Sequence, residues 1–218
     1  MTQTANRQSI EGFDRWSVRY DNGRITGFFR EMQALVIDKM ALGPSARLLD
    51  VGCGTGWAVE HATRNGGAAH GVGIDLSGGM IARAQRERGH LPRVSYARAD
   101  AEALPFADNT FDAAMCTFSF HHYSSPVKAL AGIRRVLKPG GAFYVLDNNR
   151  ASFLGLYALW DVYFRWFEPG HVRYLTSPEL SALFTEAGFS DTKTIYERDR
   201  LFHGKKIFGS AMIVRGMK

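Results

Sequence analysis

Leu48-Leu-Asp-Val-Gly-Cys-Gly-Thr-Gly56 decides how the rest of this 218-residue chain is read. An apolar run carries an acidic residue, Asp50, and leads into glycine at every second position: 52, 54 and 56. A helical stretch, Trp57-Ala-Val-Glu-His-Ala62, comes directly after. Glycines in such a loop let backbone N–H groups approach a ligand that side chains would hold off. The next strand, Gly71-Val-Gly-Ile-Asp75, also ends in a carboxylate, placed to hold ribose hydroxyls. Together they point to a nucleoside-containing cofactor.

The glycine spacing narrows the cofactor. A dinucleotide fingerprint runs G-x-G-x-x-G, and its third glycine lets helix and strand pack closely. Here Trp57 stands where that third glycine belongs, and an indole fits the contact poorly. No G-x-x-x-x-G-K-[ST] occurs anywhere, so the chain has no phosphate loop of the nucleotide-hydrolase kind. S-adenosylmethionine remains: it has no phosphates, and the loop needs only to hug its ribose and amino-acid arm. Asp50 and the loop then face its ammonium group.

Asp50-Val-Gly-Cys-Gly-Thr-Gly56 resembles the first motif of class I S-adenosylmethionine-dependent methyltransferases. Gly73-Ile-Asp-Leu-Ser-Gly-Gly-Met80 resembles the second, and Ala99-Asp-Ala-Glu-Ala-Leu-Pro-Phe106 the third. Phe111-Asp112 leading to His121-His122 resembles the fourth, and Arg134-Arg-Val-Leu-Lys-Pro-Gly-Gly141 the turn before the fifth strand. The likeness is nearest to the ubiquinone and menaquinone biosynthesis C-methyltransferases and their small-molecule relatives. It spans residues 45–150, with five motifs in order.

Alternation of strand and helix supports the same fold. Strands are expected at 46–51, 71–75, 93–98, 112–118 and 142–147, with helices at 57–65, 78–88 and 126–137. That pattern specifies a parallel sheet with helices on both faces. Upstream, apolar groups at helical spacing (Phe28, Met32, Leu35, Val36, Met40) predict a helix over 25–42, stopped by Gly43-Pro44. Pro139-Gly140-Gly141 reads as a turn. Ser177 reads as the N-cap of a helix that opens with Pro178 and ends at Gly188. Runs at Thr192–Glu197 and Ile207–Val214 close the sheet. With the resemblance, the expectation is a Rossmann-like, doubly wound α/β fold: a mostly parallel seven-stranded sheet whose last strand is antiparallel. One domain is expected: an N-terminal helical cap (1–44), a cofactor-binding core (45–148), an aromatic lid insertion (149–176) and a closing unit (177–218).

The resemblance assigns roles residue by residue. Gly52, Cys53, Gly54, Thr55 and Gly56 form the cofactor loop, Asp75 takes the ribose, and Leu76 and Met80 line the adenine pocket. Asp100 accepts from the adenine amino group, with Ala101 offering backbone contact. Thr117 and Phe118 end the fourth strand beside the ligand. In relatives an aromatic from the N-terminal segment closes over the methionine arm. Tyr20 is the candidate here, near the sulfonium, with Arg24 reaching the cofactor carboxylate. His122 is the candidate to orient or deprotonate an acceptor. Blander readings stand beside these: Asp75 as a cap for the helix after Ser77, Leu76 and Met80 as packing, Tyr20 as a helix staple. No further ligands accompany the histidines, so no metal site is expected.

Composition bounds the rest. A net charge of +6 permits nucleic-acid contact, but the basic residues are scattered and form no run of five. Cys53 and Cys116 give no disulfide framework. The first ten residues lack the apolar core of a signal peptide, so cytoplasm is expected. Residues 151–167 are apolar nearly all round yet interrupted by Asp161 and Arg165, which makes a poor membrane span and an available peripheral contact. The expected function is methyl transfer to a small apolar or aromatic molecule, leaving S-adenosylhomocysteine. Methylation of a membrane lipid or quinone, methylation of RNA, and a non-catalytic cofactor-binding regulator are the alternatives. The acceptor, its attacked atom and the oligomeric state are not legible.

Overall fold

Leu48 and Leu49 are adjacent in sequence, face opposite sides of a sheet, and are both fully buried. Period-two alternation gives that outcome only where both faces of the sheet are covered. The computed structural model describes residues 11–15, 17, 24–150, 171–198, 201–202, 205–206 and 210–218. The order is α1 (Arg24–Met40), β1 (Arg47–Val51), α2 (Trp57–Arg64), β2 (His70–Asp75), α3 (Gly78–Arg88), β3 (Val94–Arg98) and β4 (Phe111–Thr117). After a 3₁₀ turn (Phe120–His122) come α4 (Pro126–Val136), β5 (Leu137–Asn149), α5 (Ser177–Glu186) and β6 (Ser190–Arg198). A small antiparallel pair, β7 (Leu201–Phe202) with β8 (Lys205–Lys206), precedes the last strand, β9 (Ser210–Met217).

Seven strands form one sheet in the order β3-β2-β1-β4-β5-β9-β6. The pairs from β3 through β5 are parallel, and β9 runs antiparallel to both of its neighbours. The fold is therefore the Rossmann-like, doubly wound sheet expected, with its antiparallel last strand. On one face Leu49, Val51, Ala114, Phe143 and Val145 meet Leu130 and Ile133 of α4 and Leu180 and Phe184 of α5. On the other, Leu48, Met115 and Leu146 meet Met32, Val36 and Ile37 of α1 and Ala58 and Ala62 of α2. Each such fully buried aliphatic side chain is worth roughly 1.5–3 kcal/mol.

Most boundaries fall within two residues of the sequence reading; the start of β5 and the N-cap of α5 change its meaning. α4 stops at Val136, and β5 begins at once, so Pro139-Gly140-Gly141 lies inside an irregular strand rather than in a loop. Phe111 pairs with Leu137 and Ala113 with Ala142: extra residues on β5 are absorbed where Gly140 adopts a left-handed φ of 76°. The N-cap of α5 is Thr176, not Ser177. The Thr176 hydroxyl accepts from the Glu179 amide while Glu179 Oε2 accepts from the Thr176 amide at 2.8 Å, a reciprocal capping box. Ser177, one residue on, points inward and hydrogen-bonds Glu197. The aromatic stretch 151–167 and Ile207 lie outside the described residues, as does Tyr20.

The box gives a stability test. Thr176→Ala removes a cap acceptor and should cost about 1 kcal/mol, read as a lowered midpoint in urea unfolding.

Candidate functional site

β1 pairs with β2 on one side and β4 on the other, so the sheet's order reverses there. A cleft opens at the carboxyl ends of the strands beside such a switch point, because the two crossovers leave in opposite directions. This one contains about 1140 Å³ between its atoms, open mouth included.

The glycine loop forms one wall, and its three glycines serve three purposes. At Gly52 (φ 81°) a Cβ would collide with the Ser119 side chain. At Gly56 (φ 83°) it would meet the ring of Tyr96, whose hydroxyl donates to Gly56 O at 3.0 Å. At Gly54 (φ 53°) it would meet nothing within 4 Å, because that position faces the cleft. Asp75 closes the wall: Oδ2 accepts from the Gly54 amide and Oδ1 from the Ser77 amide, both at 2.9 Å. It is thus both the helix-start acceptor and a cleft-lining carboxylate. Burial raises its pKa, and the amide donors pull it back.

An N-terminal segment reaches the same place. Asp14 Oδ1 accepts from the Gly79 amide at 2.8 Å and from the Ser77 hydroxyl, at the N-terminus of α3. Its neighbour Phe13 then stands at the cleft, edge-on to His122 with ring centroids 5.0 Å apart. Across from it, Phe118 holds a left-handed φ of 52°, uncommon for a bulky residue, and packs on Phe29 at 4.7 Å. A smaller recess beside the loop is lined by Arg30, Gln33, Gly52, Gly54, Thr55, Trp57 and Thr117, among others.

The 3₁₀ turn presents two histidines, and their surroundings differ. His121 is buried, with Nδ1 2.8 Å from Asp147 Oδ1 of β5. His122 is half-buried and lies on the cleft wall.

Residues 49–145 match the family profile described as a methyltransferase domain. The chain is 35% identical over 186 residues to the ubiquinone/menaquinone biosynthesis C-methyltransferase UbiE of Ruegeria sp. (strain TM1040), covering 75% of this chain and 74% of that one. It is 38% identical over 144 residues to a demethylmenaquinone methyltransferase of Renibacterium salmoninarum, covering 65% of this chain. The match spans 59% of that relative's length. The YcgJ protein of Bacillus subtilis shares the fold, with a TM-score of 0.75 at 22% identity over 86% of this chain and 98% of that one.

The chain belongs to the class I S-adenosylmethionine-dependent methyltransferases.

In this methyltransferase the structure brings together Gly52, Gly54, Asp75, Leu76, Met80, Asp100, Ala101, Thr117, Phe118 and His122 around the cleft. Four residues read as cofactor contacts are not on its wall. Cys53 turns its side chain away, toward Gly73 and Tyr96, and burial pushes its thiol pKa up. Gly56 is occupied by Tyr96, and Thr55 is buried beside the smaller recess. Asp50, expected to face an ammonium group, is fully buried beneath the loop, with no hydrogen-bond partner for either oxygen among the described residues. Arg24 begins α1, and its side chain lies outside the described residues. Phe13, Phe29, Ser119, His121, Glu102 and Asn148 also line the cleft, although the sequence reading gave none of them a cofactor contact. Glu102, Ser119 and His121 adjoin residues that were read as site members; Phe13, Phe29 and Asn148 arrive from distant segments.

Burial, and secondarily the charge of Asp75, raise the Asp50 pKa from 3.8 to about 8. A carboxyl raised on folding keeps a proton that the unfolded chain has released, so its stabilising effect fades as pH climbs from about 4 to about 8. The protein should therefore resist urea better at pH 6 than at pH 8, and Asp50→Asn should flatten that difference. Equal pH slopes in the two proteins would count against this assignment.

Proposed function

We propose that the chain moves a methyl group from S-adenosylmethionine to a small apolar or aromatic acceptor held in the cleft. The observation that carries this reading is the backbone cradle at Gly54: a position with open space where Cβ would be, tied to a cleft carboxylate through its own amide. Asp75 retains lone pairs for ribose hydroxyls after accepting two amides. Leu76 and Met80 offer an apolar wall to the base, Asp100 an acceptor for its amino group, and Ala101 the adjoining backbone. Arg30 and Gln33, in the recess beside the loop, suit the carboxylate of the amino-acid arm, the part given to Arg24 from sequence. Bound there, the cofactor supplies a sulfonium methyl open to in-line displacement.

What remains for the protein is alignment and exclusion of water. Positioning of this kind is worth roughly 7–11 kcal/mol of barrier. Phe13, Phe29 and Phe118 form the acceptor side, with His122 orienting the acceptor against Phe13. Residues 1–44 serve as the cap over this core of 45–148, with 149–176 as its lid and 177–218 as the closing unit. A second reading, a quinone or lipid acceptor met at a membrane surface, is favoured by the quinone-pathway names of the Ruegeria and Renibacterium relatives. Co-flotation with anionic lipid vesicles separates it from the first.

Gly54→Val places a branched side chain in the cradle. Calorimetric affinity for S-adenosylhomocysteine should fall at least ~100-fold, with the protein still folded at a cost of about 1–2 kcal/mol for the left-handed φ. Retention of full affinity would remove the loop from the cofactor site. His122→Ala should slow turnover and leave that affinity unchanged. A metabolite-extract screen with labelled methyl donor identifies the acceptor.

A further inference from the structure

Two helices of this chain start with the same need and meet it differently. At α5 the acceptor is local: Glu179, three residues after the cap Thr176, takes the Thr176 amide. At α4 the cap residue is Ser125, whose own hydroxyl makes no capping hydrogen bond. Three residues further on stands Lys128, whose ammonium group donates and cannot accept. The acceptor comes instead from Glu102, 23 positions upstream. Its Oε1 takes the Ser125 amide at 2.8 Å and the Ser124 hydroxyl at 2.7 Å.

A carboxylate gains there from the positive end of the helix, but a local one would gain as much. What the distant one adds is a tie between two segments of the cleft lining. Glu102 and Ser124 both line the cleft, as do Asp100 and Ala101. The Glu102 amide donates to Asp100 Oδ1 at 2.8 Å, and the Ala103 amide to Asp100 O at 3.0 Å. On the other side, the chain that enters Ser124 is the 3₁₀ turn. There the His122 amide donates to Ser119 O and the Tyr123 amide to Phe120 O, both at 3.1 Å. The rings of Phe120 and Tyr123 pack 5.0 Å apart. From Asp100 through Glu102 and Ser124 to the turn, each link is a hydrogen bond or the chain itself.

We propose that Glu102 is a positioning residue: it fastens the base end of the cleft to the turn Phe120–His122, so that a seated adenine holds that turn in place. The inference rests on the reading of Asp100 and Ala101 as adenine contacts and adds a coupling from those contacts to the turn. Without the strap the two segments must be ordered separately when ligand enters, and that cost lowers affinity.

The test uses the full chain, with adenosine and S-adenosylhomocysteine as probes. By calorimetry Glu102→Ala should weaken both by the same factor, about 5–20-fold, in the usual range for coupled sites. Glu102→Gln keeps an oxygen that accepts the same two donors, and should restore both affinities to within about threefold. Ser124→Ala removes one donor and should give a smaller loss. The double variant Glu102→Ala/Ser124→Ala should bind no more weakly than Glu102→Ala alone, because the two residues share one interaction. Hydrogen exchange supplies a readout that a simple helix cap would not move. Adenosine should protect amides in both 99–103 and 119–125 in the wild type and in Glu102→Gln, but only in 99–103 in Glu102→Ala. Should Glu102→Ala fail to unfold cooperatively in urea, Ser124→Ala carries the comparison and must lose part of the protection at 119–125. Protection confined to 99–103 in the wild type, or undiminished at 119–125 in the variants, would overturn the strap. So would additive losses in the double variant, or a loss for S-adenosylhomocysteine with none for adenosine. A wild-type protein that binds neither probe would overturn the adenine reading beneath it.

Discussion

A single carboxylate, Asp75, ties together the parts on which the site depends. It ends β2, takes the Gly54 amide on one oxygen and the Ser77 amide on the other, and so locks the glycine loop to the start of α3. Asp14 docks on the same helix start, and with it comes the N-terminal segment that carries Phe13 to the cleft. A carboxylate suits this position because it accepts on both oxygens and donates nothing when ionised. The burial penalty on its charge is partly offset by those amide donors, and the field of a helix N-terminus favours a negative group. One residue thus connects sheet, loop and helix start, where the N-terminal segment docks.

Close approach explains why glycine is needed around it. Tyr96 of β3 fills the space over Gly56 and sits against Gly73, where an added Cβ would lie 2.8 Å from both the Tyr96 ring and the Cys53 sulfur. Ile81 and Ala84 of α3 and Val59 of α2 complete that small apolar cluster. Arg88 of α3 spans the two helices, donating to Thr55 O and to Glu60, both at 2.9 Å. The loop is packed on these neighbours without a ligand, which suits the cofactor cradle proposed above, since less ordering cost then falls on binding.

The histidine pair shows how one turn sorts adjacent residues of identical chemistry. Their rings lie 4.0 Å apart on the 3₁₀ turn, yet His121 and His122 meet different partners beyond each other. His121 falls under β5 and finds Asp147; His122 falls outward against Phe13. From sequence the catalytic role was read at His122; no local pattern indicates that its neighbour meets a carboxylate 26 positions away.

Period and spacing along the chain were enough to determine the parallel sheet, the glycine loop and the carboxylate that ends β2, because each is a local pattern of burial or backbone conformation; the antiparallel last strand came with the family resemblance. Asp50 and Asp75 look alike in that pattern, both acidic and both at strand ends. Only the tertiary structure separated them: one lies sealed beneath the loop with neither oxygen hydrogen-bonded among the described residues, while the other accepts two amides and lines the cleft. Likewise Arg30 and Gln33 reach the recess beside the loop through the crossing of α1 over β1 and β4, and Asp147 reaches His121 through the pairing of β4 with β5. Periodicity reports which face of an element is buried; what that face meets is set by three-dimensional packing between segments far apart in the chain.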